Sequence, residues 1–303
     1  MCASTSYIAI PRVIEQSLSR IIIQSPLVSG LPENSMSTKL SEIVAATRRR
    51  VADARRTADL RQLERFAQDR IPRGFRRALE AKGHNGIGVI AELKKASPSR
   101  GLIRENFDAS SLAVELEIAG ATALSVLTDE EFFQGSLENL QIASSKTKIP
   151  CLRKDFIVDE FQLLEACAYH ADAILLIVAA LTQAELVGLA IQAREYGLDV
   201  LCEIHDAEEL ERAINAGCNL IGVNSRDLRT FQVDLNTALR LAERMPKNIV
   251  SVAESGIHSG TDIAKLKAAG YQAFLIGESL MKAESPGDAL RALMTEASPA
   301  SVH

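Results

Sequence analysis

The sequence predicts an α/β fold: a single (β/α)8 TIM barrel preceded by helix. Three observations predict it. Eight short apolar runs rich in β-formers alternate with eight helix-like stretches from residue 88 onward, the signature of parallel strands joined by right-handed crossovers. The phrase Ala-Gly recurs before a strand at 119–120, 216–217 and 269–270, where glycine suits the left-handed end of a helix. No Gly-x-Gly-x-x-Gly follows the first strand, which argues against an open, doubly wound sheet binding a dinucleotide. The 303 residues are enough for such a barrel plus an extension, since the barrel itself uses about 250.

In chain order, residues 1–36 differ from the rest: Ser, Ile and Pro are frequent, and Glu15 and Glu33 are the only acids. A transit-like leader, an accessory tail, or translation that truly begins at Met36 are the three readings, and the last is preferred. The fold is therefore expected within 37–297, with 298–303 as a tail. Residues 38–68 read as helix, because Leu40, Ile43, Val44 and Val51 recur at helical spacing. The arginines 48, 49, 50, 55 and 56 are expected on a solvated face, paired with nearby acids. A short helix follows near Phe75 to Lys82. Strands are expected at 89–93, 122–127, 150–153, 172–178, 199–204, 219–223, 249–253 and 272–276. Helices are expected at 109–119, 136–145, 159–169, 182–196, 206–216, 234–244, 259–269 and 286–295. Gly120, Gly197, Gly217 and Gly270 stand where helices end.

Composition excludes several classes. Hydrophobic residues make up 47% and charged residues 24%, with a formal net charge of -5, so a concentrated basic face for nucleic acid is not expected. No run approaches the length of a membrane span. The five cysteines contain no Cys-x-x-Cys pair and the five histidines no ligand spacing, so a reduced cytoplasmic protein without a structural metal is expected.

The active site of such a barrel lies at the C-terminal ends of its strands. Period-two alternation lets Lys94, Lys154, Glu203, Asn224 and Glu254 all face the axis there. Glu92 shares the face of Lys94. A charged residue at one strand end is ordinarily the point where chain meets water. Five strand ends converging on one mouth point instead to acid–base chemistry, since buried charges must pair with each other or with a ligand. Lysine pKa values are expected to fall there and glutamate values to rise. The loops Glu254-Ser255-Gly256 and Gly277-Glu278-Ser279 have the glycines and hydroxyls of a phosphate cradle, although routine helix capping would use the same residues. Ser97 and Ser99 could close that cradle from the first strand.

Five motifs now stand in order: Glu92-Leu-Lys94-Lys-Ala-Ser97-Pro98-Ser99, Leu127-Thr-Asp129 with Phe133-x-Gly135-Ser136, Arg153-Lys154-Asp155-Phe156-Ile157, Gly222-Val-Asn224-Ser-Arg226-Asp-Leu228 and Ala253-Glu254-Ser255-Gly256-Ile257. Over roughly residues 38–296 the chain resembles the indole-3-glycerol-phosphate synthase family. The resemblance implies a barrel with an N-terminal helix as a lid over its mouth. It implies conversion of 1-(2-carboxyphenylamino)-1-deoxyribulose 5-phosphate to indole-3-glycerol phosphate, carbon dioxide and water in tryptophan biosynthesis, without a cofactor. By the same resemblance Lys154 is the general acid, Glu203 the general base, Lys94 the holder of the substrate carboxylate and a further proton donor, and Glu92 the group that orients them. Asn224, Glu254 and Ser255 would bind the sugar-derived chain, with Arg226 in support. Phe133 and Phe156 would face the aromatic ring, and Ser97, Gly256, Gly277 and Ser279 would hold the phosphate. Glu278, beside that phosphate, must be turned away or neutralised. The implied partners are the small phosphorylated substrate and other enzymes of the same pathway. Two alternatives remain: another phosphosugar-converting barrel, including an aldolase forming a Schiff base through Lys154, and a barrel that only binds a phosphorylated ligand.

Overall fold

The computed structural model describes residues 38–298 except position 229; the expectations for residues 1–36 and 299–303 lie outside the described residues. Eight parallel strands close into a barrel. They are β1 (Gly88–Leu93), β4 (Ala123–Leu127), β5 (Cys151–Lys154), β6 (Ala173–Ile177), β7 (Asp199–Ile204), β8 (Leu220–Asn224), β9 (Val250–Glu254) and β10 (Ala273–Ile276). The β1 strand closes the circle by pairing with both β4 and β10. Each predicted strand is present, 199–204 with the same bounds and the others with one or both ends moved by a single residue. Most are buried along their whole length, which is why they read as continuous apolar runs rather than as alternation.

The surrounding helices begin at side-chain caps. Asp108, Ser136, Asp206 and Ser285 each accept a backbone N–H three residues on. Thr182 with Glu185 and Ser259 with Asp262 form complete capping boxes. At the other ends Gly120, Gly197, Gly217 and Gly270 all take positive φ, as expected for glycines at helix ends.

The N-terminal region corrects one expectation. Residues 38–68 are not one helix but two, α1 (Thr38–Thr57) and α2 (Leu60–Gln68). Asp59 takes an extended backbone and its carboxylate accepts the Gln62 N–H, so a new helix starts where the apolar periodicity alone runs on. The α2 helix packs on Phe161–Ala168. A third helix, α3 (Phe75–Asn85), lies across β1. Four short elements had no counterpart in the sequence reading: the hairpin β2 (Ala96–Ser97) with β3 (Gly101–Leu102), helix Glu130–Phe133, the 3-10 turn Val178–Ala180 and helix Glu278–Lys282.

The arginines of α1 are also corrected. Arg48, Arg50, Arg55 and Arg56 are paired, as expected, but three of them pair across elements and are half-buried. Arg48 meets Glu185 at 2.8 Å, Arg50 reaches Asp155 at 3.3 Å and Asp129 at 3.4 Å, and Arg55 meets Asp159 and Glu160 at 3.3 Å. With Leu40, Ile43, Val44 and Val51 buried beneath it, α1 is fastened to the loops on the C-terminal side of the barrel. At the opposite end Arg73 is held by Asp172, its Nε donating to Oδ2 at 2.8 Å, and by the carbonyls of Ser144 and Thr147 at 3.2 Å.

Candidate active site

The strand register decides which side chains meet. Leu127 pairs with Lys154, Ile177 with Glu203, Glu203 with Gly222 and Asn224 with Glu254. This stagger puts the last inward residue of several strands at one height. Lys154 Nζ lies 2.9 Å from Glu203 Oε2 and 3.3 Å from Glu254 Oε2. Lys94 Nζ lies 2.6 Å from Glu92 Oε1. Asn224 donates its amide to Glu203 Oε1 at 3.2 Å and accepts both the Ser255 hydroxyl at 2.8 Å and the Arg226 N–H at 3.0 Å.

All of these residues line one cavity at the C-terminal end of the barrel, enclosing about 1240 Å³ with its open mouth included. Phe133 and Phe156 form one wall, with ring centroids 6.2 Å apart and planes tilted by 42°. Ser97, Gly256, Gly277 and Ser279 line the cavity too. Every site residue expected from sequence is therefore brought to a single cavity. Two glycines are there for a steric reason. A Cβ at Gly222 would collide with Glu254 Oε1, and a Cβ at Gly277 with Glu92 Oε1. Ser255 and Gly256 turn the chain in the left-handed region, at φ 64° and 79°. That is an unfavourable conformation for a serine, and its bond to Asn224 helps to hold it.

The charge balance departs from expectation. Burial alone would lower the Lys154 pKa, but Glu203, Glu254 and Glu92 outweigh it and raise the ammonium above its ordinary range. Burial would raise Glu203, but Lys154 and His205 outweigh it and bring that carboxylate down to about 2. Only Glu254 follows the expected direction: burial, helped by Glu203, pushes it up to about 7 against the pull of Lys154. The cause is stoichiometric, because one ammonium serves more carboxylates than it can neutralise. Glu278 is neutralised, as the phosphate reading requires. Burial raises its pKa, but Lys282 at 2.7 Å, Arg100 at 3.0 Å and Arg226 at 3.4 Å outweigh burial and lower it.

Three features escaped the sequence reading. His205 Nε2 lies 3.5 Å from Glu203 Oε1. It stands two residues beyond Glu203, so the same alternation places it on the face of Glu203. Lys39, Leu40 and Ile43 of α1 line the cavity, and nothing in their local pattern tells which loops they cover. Arg50 joins α1 to the carboxylate next to Lys154, a partner 105 positions away.

Similarity to known proteins agrees with this geometry. A family model described as indole-3-glycerol phosphate synthase matches residues 40–293. A protein of that name from Koribacter versatilis is 59% identical over 259 residues, covering 86% of this chain and 100% of the relative. One from Desulfotalea psychrophila is 48% identical, covering 85% of this chain and 99% of the relative. Among solved structures, 3-hexulose-6-phosphate synthase from Salmonella typhimurium superposes with a TM-score of 0.56 at 12% identity, covering 69% of this chain and 97% of that one; this likeness shows the barrel fold alone. With the matched region spanning the whole barrel and the helix over its mouth, the chain belongs to the indole-3-glycerol phosphate synthase family.

Proposed function

We propose that the chain closes the indole ring of indole-3-glycerol phosphate from 1-(2-carboxyphenylamino)-1-deoxyribulose 5-phosphate, as a carbon–carbon lyase that releases carbon dioxide and water. One observation carries the reading: an ammonium, Lys154, held between two carboxylates, Glu203 and Glu254, at the floor of a cavity walled by two aromatic rings. The binding residues divide by chemistry. Phe133 and Phe156 take the aromatic ring, and Lys94, oriented by Glu92, takes its carboxylate. Asn224, Ser255 and Glu254 meet the hydroxyls of the sugar-derived chain. Ser97, Gly256, Gly277 and Ser279 take the phosphate through hydroxyls and backbone N–H groups, with Arg226 beside them.

Ring closure moves an electron pair from the aromatic carbon onto the substrate carbonyl, whose oxygen needs a proton. Lys154 is fully protonated and supplies it. Its raised pKa is no obstacle, because the alkoxide forming on that oxygen is more basic still. The substrate carboxylate then leaves as carbon dioxide and returns its bonding electrons to the ring. Dehydration needs an acid for the departing hydroxyl and a base for a ring proton. Lys94 serves as that acid and Glu203 as the base.

The acid step prepares the base. Lys154 is the largest charge holding Glu203 low. Once Lys154 has given up its proton, burial dominates and the Glu203 pKa rises, so the carboxylate becomes more basic when it must take a proton. A cytoplasmic setting and contacts with other tryptophan-pathway enzymes accompany the proposal. So does a chain whose residues 1–36 and 298–303 lie outside the working domain. Among the described residues, no helix is long and apolar enough to cross a membrane.

The test is to incubate the purified protein with the carboxyphenylamino-deoxyribulose phosphate and follow indole fluorescence. Growth of the indole signal with matching release of carbon dioxide is expected. No product, together with borohydride trapping of a covalent Lys154 adduct on a keto-phosphosugar, would replace this reading by an aldolase.

A further inference from the structure

Near Glu203, one buried ring nitrogen has no hydrogen-bond partner: Nε2 of His205. The other side of that ring is held. Glu209 Oε2 accepts the His205 backbone N–H at 2.7 Å and lies 3.0 Å from Nδ1, so Nδ1 carries a proton and the ring cannot turn freely. Nε2 lies 3.5 Å from Glu203 Oε1. That is long for a hydrogen bond but close for two charges in a water-poor site. Lys154 holds the other oxygen, Oε2, while Oε1 has the Asn224 amide at 3.2 Å.

We propose that His205 is a positioning residue for the base: anchored by Glu209, its ring fixes the orientation and ionised state of Glu203 through the oxygen that Lys154 does not hold. The inference rests on the reading of Glu203 as the base. The charged groups facing the ring are Glu203 at the end of its own strand, Glu209 on the next helix and Glu254 on β9, with Lys154 of β5 beyond Glu203. Burial opposes charge on the imidazole, but the bond to Glu209 and these three carboxylates outweigh burial and raise its pKa. This second cation matters most after Lys154 has given its proton away. Glu203 would otherwise sit buried with no cation beside it, and burial alone would drive it to pick up a solvent proton before it meets the substrate's. His205 keeps it ionised through that interval.

The experiment compares His205→Asn, His205→Gln and Glu203→Gln by kcat, KM and the pH dependence of indole-3-glycerol phosphate formation, with folding followed by circular dichroism. In His205→Asn the fold is retained, kcat falls about tenfold, as expected for the loss of one hydrogen-bond-sized contribution to the transition state, and KM changes by less than about twofold. The acid limb of kcat moves up by about one pH unit, because once Lys154 has given up its proton the loss of this second cation raises the Glu203 pKa and the carboxylate form is lost at higher pH. The Gln side chain places an amide donor toward the Nε2 position, so His205→Gln recovers part of kcat while its acid limb stays raised. A folded His205→Asn protein with unchanged kcat and acid limb would overturn the proposal, as would a loss that merely tracks the folded fraction. Glu203→Gln separates the two readings. If it is inactive while His205→Asn behaves as wild type, only the role of His205 fails. If it turns over normally, the base assignment fails and this inference with it.

Discussion

At the base of the barrel, buried charge is matched group for group. Arg73 gives its backbone N–H and its Nε to Asp172, its Nη1 to two carbonyls and its Nη2 to the Ser144 hydroxyl. Asp172 also accepts the Cys151 N–H that starts β5. At the mouth the matching fails. Lys154 faces Glu203 and Glu254, with Glu92 near enough to add to its field. Glu254 Oε1 and His205 Nε2 are buried without hydrogen-bond partners. Both ends contain arginine or lysine among carboxylates, and composition alone would not separate them. The saturated end has nothing left to offer a ligand, while the unsaturated end has donors and acceptors to spare. Incompletely satisfied charge, more than charge itself, marks the reactive face.

The contrast can be broken from either side. The largest effect is expected from Lys154→Ala: turnover falls by between about a hundredfold and ten-thousandfold while the thermal midpoint changes little, since Glu254, already pushed up to about 7, can take up a proton in place of the lost ammonium. Wild-type-like turnover in a fluorescence assay would remove the acid assignment. Next comes Arg73→Ala. It leaves Asp172 buried without its cation and is expected to cost about 3–5 kcal/mol in urea unfolding, with kcat of the remaining folded protein unchanged. If it silenced a fully stable protein instead, the two ends would not be separable. The smallest effect is expected from Arg50→Ala, which frees one contact between α1 and Asp155. KM should rise about threefold, the equivalent of roughly 0.6 kcal/mol, and proteolytic cutting between the first two helices should quicken. An unchanged KM would mean that α1 covers the mouth without help from this pair.

The fold was legible because its signals are local. Apolar runs, cap residues such as Thr182 and Ser259, and Ala-Gly turns each specify their own segment. The site residues were legible for a second reason: in a barrel, the last inward position of each strand is at the mouth whatever the loops do. What was not legible depends on loops meeting. The expected direction for Lys154 failed because two carboxylates approach it from strands about 50 and 100 positions away. Arg50 read as a solvated residue because Asp129 and Asp155 adjoin it only after closure of the barrel. The break at Asp59 is hidden for a local reason: the apolar periodicity runs through it, and only the capping carboxylate marks the new helix.

Gly222 and Gly277 leave no room for a methyl group beside Glu254 and Glu92. Each glycine and its carboxylate therefore behave as one heritable unit. A side chain at 222 can be accepted only once position 254 has shortened, and the same holds for 277 and 92. A substitution at either glycine alone pushes its carboxylate out of place, so a directed search for new chemistry on this barrel should randomise the positions as pairs.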